Sequence, residues 1–414
     1  MSPAKLLKLI GRFLCAVALV SIGYVTWYLI YSASSVICLE SESGDTFSFG
    51  KALAINDNYI AVGDPKANRV AIYSYDSIKD KWSRTKEIYP PKNSIIERVG
   101  YGFGSSLVLN QNQLIIGAFS QPKTTTFDDD TESEEYKLTQ QYHGAVYSLL
   151  LKPKERSFLQ EIALPNSFKL TGYSLAIFNN KIALGATTEV EPYIEPGKVL
   201  IVDPTTLEVN KIIKPPSSEQ KFADFGFVID GNDDYLLVGS RGLTKQGGAL
   251  LIDKAGKIEE ISSDINLATP LSRAGSSVAL ADNFVAIGIS SNFGDENILL
   301  LKSSAEGWSL VDVIPFGGSL NIAKSHLIVS SGEDRMMFTR MLYRQVHALV
   351  RLDKNQAEIE SKIHWKLGSD FQFEAKGLIY ADQLLLSHKG KVILQSMKNL
   401  PSSYLINPTF CKEK

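Results

Sequence analysis

The stretch FGSSLVLNQNQLIIGA, residues 103–118, decides the fold of this 414-residue chain. Its two short apolar runs, residues 107–109 and 114–116, flank a polar turn, and this pattern predicts two strands joined as a hairpin. The same phrase returns as FGKALAINDNYIAVGD from Phe49, TGYSLAIFNNKIALGA from Thr171, FGFVIDGNDDYLLVGS from Phe225 and AGSSVALADNFVAIGI from Ala274. A hairpin that recurs in this way indicates a repeat architecture.

Each of these five copies carries two glycines that are 13 positions apart, as Gly104 and Gly117 are. Two weaker copies, which start at Phe316 and Phe373, keep the apolar pattern but replace one or both glycines. The chain therefore contains seven units, and their first-glycine positions are residues 50, 104, 172, 226, 275, 317 and 374.

A second pair of strands follows each hairpin. In the second unit this pair comprises residues 145–151 and 158–164, and Pro165 ends it because proline cannot donate to a strand ladder. Four strands in each of seven units predict an all-β protein, a seven-bladed β-propeller with four-stranded blades. Radial repetition suits such a chain because it leaves no long exposed strand edges.

The ends of the repeat indicate how the ring closes. Unit seven has no clear fourth strand after residues 391–396, whereas a spare apolar strand, residues 36–39, precedes unit one. We therefore expect residues 36–39 to complete blade seven. On this interpretation the propeller occupies residues 35–400, and residues 401–414 form a C-terminal tail.

The recurring phrases resemble the FG-GAP repeat of integrin α-subunit propellers and of many bacterial surface proteins. The FG half is present four times, at Phe49-Gly50, Phe103-Gly104, Phe225-Gly226 and Phe316-Gly317. The GAP half is looser, as in Gly117-Ala118-Phe119. The resemblance covers roughly residues 36–400; it implies the propeller fold and says little about function.

Members of that family often carry a calcium-binding loop in the first hairpin of some blades. The corresponding turns here, such as residues 56–58 and 230–234, fit inside the constant 13-residue spacing. Turns this short cannot supply the six to eight oxygen ligands that calcium takes. We expect neither calcium nor any other cofactor.

Residues 13–31, FLCAVALVSIGYVTWYLIY, form a run of 19 residues without a charge. At about 1.5 Å per residue, a helix of this length spans the ~30 Å hydrocarbon core of a bilayer. Three basic residues lie within residues 1–12, and no Lys or Arg follows the run until Lys51. The positive-inside rule then predicts a single-pass signal-anchor helix, a short cytoplasmic tail and a propeller on the extracellular or periplasmic side.

A cleaved signal peptide is the alternative for this N-terminal segment. Ser32-Ala33-Ser34 supplies small residues at usable cleavage positions. However, a signal h-region is usually about 7–15 residues long, and residues 13–31 are longer and end in aromatic residues. We favour the anchor; loss of the first 34 or so residues from the mature protein would contradict it.

The composition excludes some classes of function. A formal net charge of -2 and a pI near 6.3 do not favour nucleic-acid binding, which needs a clustered basic face. The chain has no CxxC pair, no GxSxG, no Walker loop and no HExxH, and its five histidines occupy unrelated repeat positions. We therefore expect no catalytic residues and no metal site, and we predict that the protein is not an enzyme.

An acidic cluster lies in a long insertion between the second and third strands of unit two. The residues predicted to bind a partner there are Phe127, Asp128, Asp129, Asp130, Glu132, Glu134, Glu135 and Tyr136. Tyr193, in the shorter insertion 187–196 of unit three, is predicted to join them. A solvated loop is the simpler interpretation of such a charge run, and a binding loop for a basic partner or a cation is the functional one.

The three cysteines are Cys15, Cys38 and Cys411. Because residues 36–39 and the C-terminus meet at the predicted ring closure, Cys38 and Cys411 could form a disulfide in an oxidising compartment. Two unpaired buried thiols are the alternative.

These observations lead to a functional prediction. We expect a membrane-anchored adhesion or interaction module that binds a protein or glycan through loops on the face away from the membrane, because binding residues concentrate on loops above a rigid scaffold. The alternatives are a hydrolase-type enzyme with its site in the central channel, and a structural subunit of an envelope complex.

Overall fold

The structure is a computed structural model. It describes residues 36–39, 48–92, 94, 102–119, 144–152, 158–164, 171–186, 197–216, 224–240, 247–261, 274–289, 297–314, 317–323, 325–330, 343–352, 357–366, 376–388, 391–398 and 403–406. Every regular element within these ranges is a β-strand. They contain no helix long and apolar enough to cross a bilayer. The predicted tail 1–12 and anchor 13–31 lie outside these ranges.

Seven sheets make up the described part of the chain, and we call them blades one to seven. The strands of blade one are β2 (Leu53–Ile55), β3 (Tyr59–Asp64), β4 (Arg69–Asp76) and β5 (Lys81–Ile88). Those of blade two are β6 (Phe103–Asn110), β7 (Gln113–Ala118), β8 (Ala145–Leu150) and β9 (Leu159–Glu161). Those of blade three are β10 (Thr171–Phe178), β11 (Lys181–Ala186), β12 (Lys198–Val202) and β13 (Val209–Ile213).

The next two blades repeat this order of four antiparallel strands. Blade four consists of β14 (Val228–Gly231), β15 (Tyr235–Ser240), β16 (Gly248–Asp253) and β17 (Ile258–Glu260). Blade five consists of β18 (Ala274–Ala281), β19 (Phe284–Ile289), β20 (Asn297–Ser304) and β21 (Gly307–Ile314).

Blades six and seven contain the two departures from this plan. Blade six consists of β22 (Ser319–Ala323), β23 (His326–Ser330), β24 (Tyr343–Leu352) and β25 (Ala357–Lys366), with β29 (Ser403–Ile406) as a fifth strand. Blade seven consists of β26 (Lys376–Tyr380), β27 (Gln383–His388) and β28 (Lys391–Ser396), with β1 (Val36–Leu39) as its outer strand. β1 thus occupies the place predicted for it from the sequence.

The seven blades form a closed ring. The first strand of each blade contacts the first strand of the next, and β26 of blade seven contacts β2 of blade one. Six of the blades have four strands each, and blade six has a fifth strand. The fold is therefore an all-β seven-bladed propeller.

The hydrophobic core is divided among the seven boundaries between blades. One cluster packs Phe103 and Tyr147 of blade two against Ile72 of blade one, and another packs Leu39 of blade seven against Ile60 of blade one. Five further clusters fill the remaining five boundaries. Each blade therefore depends on both neighbours for burial of its faces.

The 13-residue glycine spacing has a physical cause at these boundaries. The second glycine of one blade packs against the first glycine of the next: a Cβ on Gly63 would lie 2.1 Å from the carbonyl oxygen of Gly104. Gly104 itself has φ +85°, which L side chains rarely adopt. The same contact joins Gly117 to Gly172. The two glycines of each repeat thus serve two different boundaries.

Serine replaces the second glycine in blades six and seven, and in blade seven this change has a role. The hydroxyl of Ser387 donates a hydrogen bond of 2.7 Å to the carbonyl oxygen of Gly50 in blade one. The boundary where the ring closes is therefore joined by a side-chain hydrogen bond as well as by packing.

The segment predicted as a C-terminal tail, residues 401–414, contains one strand. Ser403–Ile406 pairs in parallel with β25, with Ser403 opposite Lys362 and Ile406 opposite Trp365. An outer strand leaves one edge of unpaired backbone groups, and β29 satisfies part of that edge in blade six.

Candidate functional site: the loop face and its base

The antiparallel blades give the ring two unlike faces. We call "loop face" the end that carries the connections between second and third strands and between successive blades. The opposite end, the "turn face", carries the turns between first and second and between third and fourth strands. Its first hairpin turns are short, as at residues 111–112, whereas the loop face carries the connection 119–144.

The chain enters the propeller from the turn face. In the register of β1 with β28, Val36 lies opposite Gln395 and Leu39 opposite Val392. β28 runs from the loop face to the turn face, so the antiparallel β1 starts at the turn face. Val36 therefore lies at the face opposite the ends of the two insertions.

The insertion of blade two begins on an aromatic row. Phe119, its first residue, makes an edge-to-face contact with Tyr173 of blade three, with ring centroids 4.8 Å apart. Tyr173 in turn stacks obliquely on Phe227 of blade four, at 4.5 Å. Aromatic pairs at these separations stabilise beyond their burial alone. Phe119, Tyr173 and Phe227 thus tie three successive blades together at the loop face.

Both insertions also end on tightly packed glycines. A Cβ on Gly144 would lie 2.2 Å from the carbonyl oxygen of Thr171, and one on Gly197 would lie 1.9 Å from that of Phe225. Each insertion therefore rejoins its blade where the backbone touches the next blade. The predicted binding loops arise from a rigid base that spans blades two to four.

The predicted partner-binding residues lie within these insertions, outside the described residues. They are Phe127, Asp128, Asp129, Asp130, Glu132, Glu134, Glu135, Tyr136 and Tyr193. The structure fixes the ends of the two segments that carry them, at Phe119 and Gly144 and at Ala186 and Gly197. Their role in binding stays a prediction.

Blade one contributes a buried cluster of charges to the loop face. Asp64, at the end of β3, is fully buried and accepts hydrogen bonds from Ser48 Oγ at 2.5 Å and from Arg69 Nη2 at 3.0 Å. Arg69 Nη1 also donates to Glu87 Oε1 at 3.0 Å, and Arg84 pairs with the same carboxylate. Buried charges persist when they are paired in this way, so the cluster holds together β3, β4 and β5.

These contacts shift the pKa values of Arg69 and of the neighbouring Tyr89. Burial lowers the pKa of Arg69, but its hydrogen bonds and attraction to Asp64 and Glu87 outweigh burial and raise the pKa overall. Tyr89 donates a hydrogen bond of 2.7 Å to Glu87, and that bond, with partial burial, raises the pKa of the tyrosine. The raised pKa values keep Arg69 charged and Tyr89 neutral near neutral pH.

The half of the channel wall nearer the turn face holds a carboxylate of a different kind. Asp230 Oδ2 accepts a hydrogen bond of 2.9 Å from the backbone N–H of Leu280, in the first strand of the next blade. Burial raises the pKa of Asp230 to about 6, against the opposing effect of its two backbone hydrogen bonds. Asn321 occupies the matching position in blade six and accepts the equivalent bond from Ile379 at 2.8 Å. Asp230 is thus a link between blades.

The tight turns use their polar side chains internally. Asn56 Oδ1 accepts from the N–H groups of Asn58 and Tyr59, and Asn232 Oδ1 accepts from those of Asp234 and Tyr235. Over the described ranges, no group of three or more His, Cys, Asp or Glu side chains could hold a metal ion. The expectation that the protein binds no calcium stays a prediction.

Cys38 is disulfide-bonded. The chain has two other cysteines, Cys15 and Cys411, and both lie outside the described residues. β29 brings the chain to Ile406 on blade six, five residues before Cys411. The pairing of Cys38 with Cys411 stays the predicted one.

Comparison with known proteins returned only distant likenesses in structure. No family model matches the chain, and no curated protein sequence matches it. A solved structure of Sqt1 from Saccharomyces cerevisiae aligns with a TM-score of 0.44 at 11% identity, covering 88% of this chain and 84% of that one. A functionally unknown protein from Desulfotomaculum acetoxidans aligns with a TM-score of 0.48 at 10% identity, over 84% and 98% of the two chains.

A protein from Lactobacillus plantarum is similar at a TM-score of 0.45 and 10% identity, over 78% of this chain and 85% of that one. Likenesses at this level carry no argument about function. The assignment of a seven-bladed propeller rests on the seven sheets and on the ring of contacts between their first strands.

Sequence reasoning missed the aromatic row and the charged cluster. Tyr173 and Phe227 directly follow the first glycine of their repeats, where blades two and five have serine, so a comparison of repeat positions could have found them. Arg69 pairs with Asp64 and Glu87, which lie on the two neighbouring strands. The other repeats carry no signal for that cluster, because none has an arginine paired opposite the last residue of the second strand, as Arg69 is with Asp64.

Proposed function

We propose that this protein is a membrane-anchored, extracytoplasmic binding module that holds a protein or glycan ligand on its loop face. Residues 13–31 would anchor the chain, with its N-terminus in the cytoplasm. The acidic insertion of blade two, with Tyr193 of blade three, would contact the ligand. Membership of the FG-GAP family, which the repeat phrases suggest, is part of the same proposal.

One observation carries the proposal: β1 begins at the turn face, opposite the two insertions. Only residues 32–35 separate the apolar run from β1, and four residues span at most about 14 Å. A chain anchored by that run would hold its turn face near the bilayer and its loop face away from it. The loop face would then be free to meet a ligand.

The chemistry of the insertion suggests the class of ligand. Residues 120–143 contain six carboxylates and two lysines, a net charge of −4, together with aromatic residues. A cluster of this sign attracts a basic protein surface, and aromatic side chains supply contact area for a protein or a sugar. Aromatic packing at Phe119 and the close approach at Gly144 hold the two ends of this insertion in place, so a ligand would meet a segment that is fixed at both ends.

Site-specific crosslinking in intact cells tests this proposal. A photoreactive amino acid replaces Tyr136 or Tyr193 on the loop face, and Tyr75 on the turn face provides the control. We expect the same covalent adduct from both loop-face positions and none of it from Tyr75. Adduct formation at Tyr75 alone, with none from either insertion, would contradict the proposal for a protein ligand.

A glycan ligand requires a second measurement, made with the full chain in detergent on a glycan array. The six carboxylates of the insertion are changed to amides in one variant. The matched control changes the exposed turn-face residues Asp57, Asp233 and Asp282 to Asn. We expect binding by the wild type and by the control, and a loss of about tenfold or more for the first variant. Equal binding by all three would place the site elsewhere.

A further inference from the structure

The two most exposed large apolar side chains of the described residues lie at equivalent places in adjacent blades. Ile78 is 95% exposed and Phe158 is 76% exposed. Each belongs to the turn between the third and fourth strands, on the turn face, in blades one and two respectively. A single exposed apolar residue is ordinary, but two in matching turns of neighbouring blades indicate a contact surface.

Further apolar side chains surround these two. Tyr75, at the end of β4, is 37% exposed, and Leu150, the last residue of β8, is 46% exposed. The Tyr75 ring contacts Trp82 across the turn of blade one, with centroids 5.2 Å apart. Aromatic residues with one polar edge favour the boundary between water and lipid.

Two hydrogen bonds join blade one to blade two at the turn face. Tyr59 of blade one donates its hydroxyl to the carbonyl oxygen of Leu151, at 3.3 Å, where the turn of blade two begins. The side-chain amide of Asn56 donates to the carbonyl oxygen of Gln111 at 2.6 Å, also from blade one to blade two. The turn-face ends of these two blades are therefore fixed relative to each other.

Basic residues accompany the apolar ones. Lys79, Lys81 and Lys152 are all exposed in these two turns. The described residues of the two turns also include Asp80 and Asp76, which pairs with Lys79 at 3.3 Å, so the three lysines exceed the carboxylates by one. Apolar side chains beside lysines match the surface of an anionic bilayer, where the apolar groups enter the headgroup boundary and the lysines meet phosphates.

The matching turns of the next blades differ. In blade three, Leu207 packs against the core, and in blades four and five the turns are Lys254-Ala255-Gly256-Lys257 and residues 304–307, Ser-Ala-Glu-Gly. None of these three turns exposes a large apolar side chain. Within blades one to five, the exposed apolar turns are thus confined to blades one and two, and blade one lies next to blade seven, where the chain enters at Val36.

We propose that the turn face of blades one and two, through Ile78 and Phe158, rests on an anionic phospholipid bilayer. This inference rests on the proposed function, because an anchor that ends near Val36 presents the turn face to the membrane. The contact would fix the tilt of the propeller and so the direction in which the loop face points.

Amide hydrogen exchange of the full chain tests the contact. The chain is compared in detergent and in nanodiscs of phosphatidylcholine with about one third phosphatidylglycerol. We expect exchange in residues 76–81 and 150–159 to slow by about threefold or more in the nanodiscs. The turns at residues 254–257 and 304–307 should exchange equally in both. Equal exchange of all four turns in a chain that is held by the nanodisc would overturn the inference.

A double variant separates this contact from other effects of the bilayer. Ile78→Ser with Phe158→Ser should abolish the slowing. The control, Ile212→Ser with Leu310→Ser, removes two exposed apolar residues from the fourth strands of blades three and five and should retain it. Slowing that survives in the first variant would contradict the role of the two side chains.

Failure of the anchor would be visible separately, because the chain would then not stay with the nanodiscs. In that case the full chain is sedimented with vesicles of the same lipid composition. Sedimentation that the Ile78→Ser, Phe158→Ser variant loses would support the surface without the anchor. Absence of sedimentation by the wild type would overturn it.

Discussion

The loop face and the turn face are formed by the same blades but by different means. At the loop face, charges are buried and paired, as in Asp64 with Arg69, and glycine backbones touch the next blade. At the turn face of blades one and two, lysines are exposed and Ile78 and Phe158 point into solvent. A rigid base suits loops that bind a ligand, whereas exposed apolar tips suit a surface that is covered by something else.

Removal of a buried charge from the loop face should cause the largest loss of stability. Arg69→Met removes the guanidinium that pairs with the fully buried Asp64. Breaking a buried pair from one side costs about 3–5 kcal/mol, because the other charge stays in a poorly solvating environment. We expect a loss of that size in the free energy of unfolding, measured by chemical denaturation.

The double variant Asp64→Asn with Arg69→Met is the control for that experiment. It removes both charges, and Glu87 keeps Arg84 as a partner. It should recover a substantial part of the lost stability. If the double variant is as unstable as the single one, packing at Arg69 matters more than its charge.

Glycines at the two faces separate two costs of an added Cβ: overlap with the neighbouring blade and strain in the backbone. A Cβ on Gly117, near the loop face, would lie 2.2 Å from the carbonyl oxygen of Gly172. Gly307, in a turn-face turn, has φ +116° and nothing within 4 Å of an added Cβ. We expect Gly117→Ala to cost about 2–3 kcal/mol from overpacking and Gly307→Ala about 1 kcal/mol from backbone strain. Equal losses would show that the boundary is not tightly packed.

A pH titration sharpens the contrast between paired and unpaired carboxylates. Because burial raises the folded-state pKa of Asp230 from 3.8 to about 6, the native state binds the proton more tightly than the unfolded state. The stability that this tighter proton binding gives the folded state is complete below pH 4 and is lost as the pH rises through 6. Asp230→Asn should therefore be more stable than wild type by about 1–3 kcal/mol at pH 7, and by much less at pH 4.

Asn321 supports the choice of asparagine, since it accepts the equivalent hydrogen bond in blade six. Thermal melts of wild type and Asp230→Asn across this pH range measure the effect. A stability difference that does not change between pH 4 and pH 7 would mean that Asp230 titrates as an ordinary aspartate.

The smallest effect is expected for a turn-face ion pair. Lys254 and Asp234 approach to 2.6 Å, but both side chains are more than half exposed. Exposed pairs contribute little because water and salt screen them. Asp234→Asn should leave the melting temperature unchanged within error. A clear loss would mean that turn-face charges contribute to stability as loop-face charges do.

Most of the fold was predictable because the glycines and apolar runs of the repeat meet the same packing requirement at every blade boundary. The hairpins follow from apolar runs around polar turns, and the closing strand Val36–Leu39 follows from a missing fourth strand in blade seven. β29 was not predictable in this way, because a four-residue strand that adds to a blade edge has no repeat partner.

The candidate site was less accessible to sequence reasoning. A charge run such as residues 128–135 identifies an insertion but not the contacts that hold the ends of that insertion. That support, Phe119 on Tyr173 and Gly144 on Thr171, comes from contacts between blades. The exposure of Ile78 and Phe158 likewise appears only when the turns are placed on one face.

In the proposed orientation, the turn face lies toward the membrane and the loop face away from it. A membrane-impermeant amine reagent, applied to the full chain in proteoliposomes and in detergent, tests it most directly. We predict that Lys123 and Lys137 of the insertion react equally in both, and that Lys79 and Lys152 react several-fold more slowly in the bilayer. Slower reaction of Lys123 and Lys137, with Lys79 and Lys152 unchanged, would contradict the account.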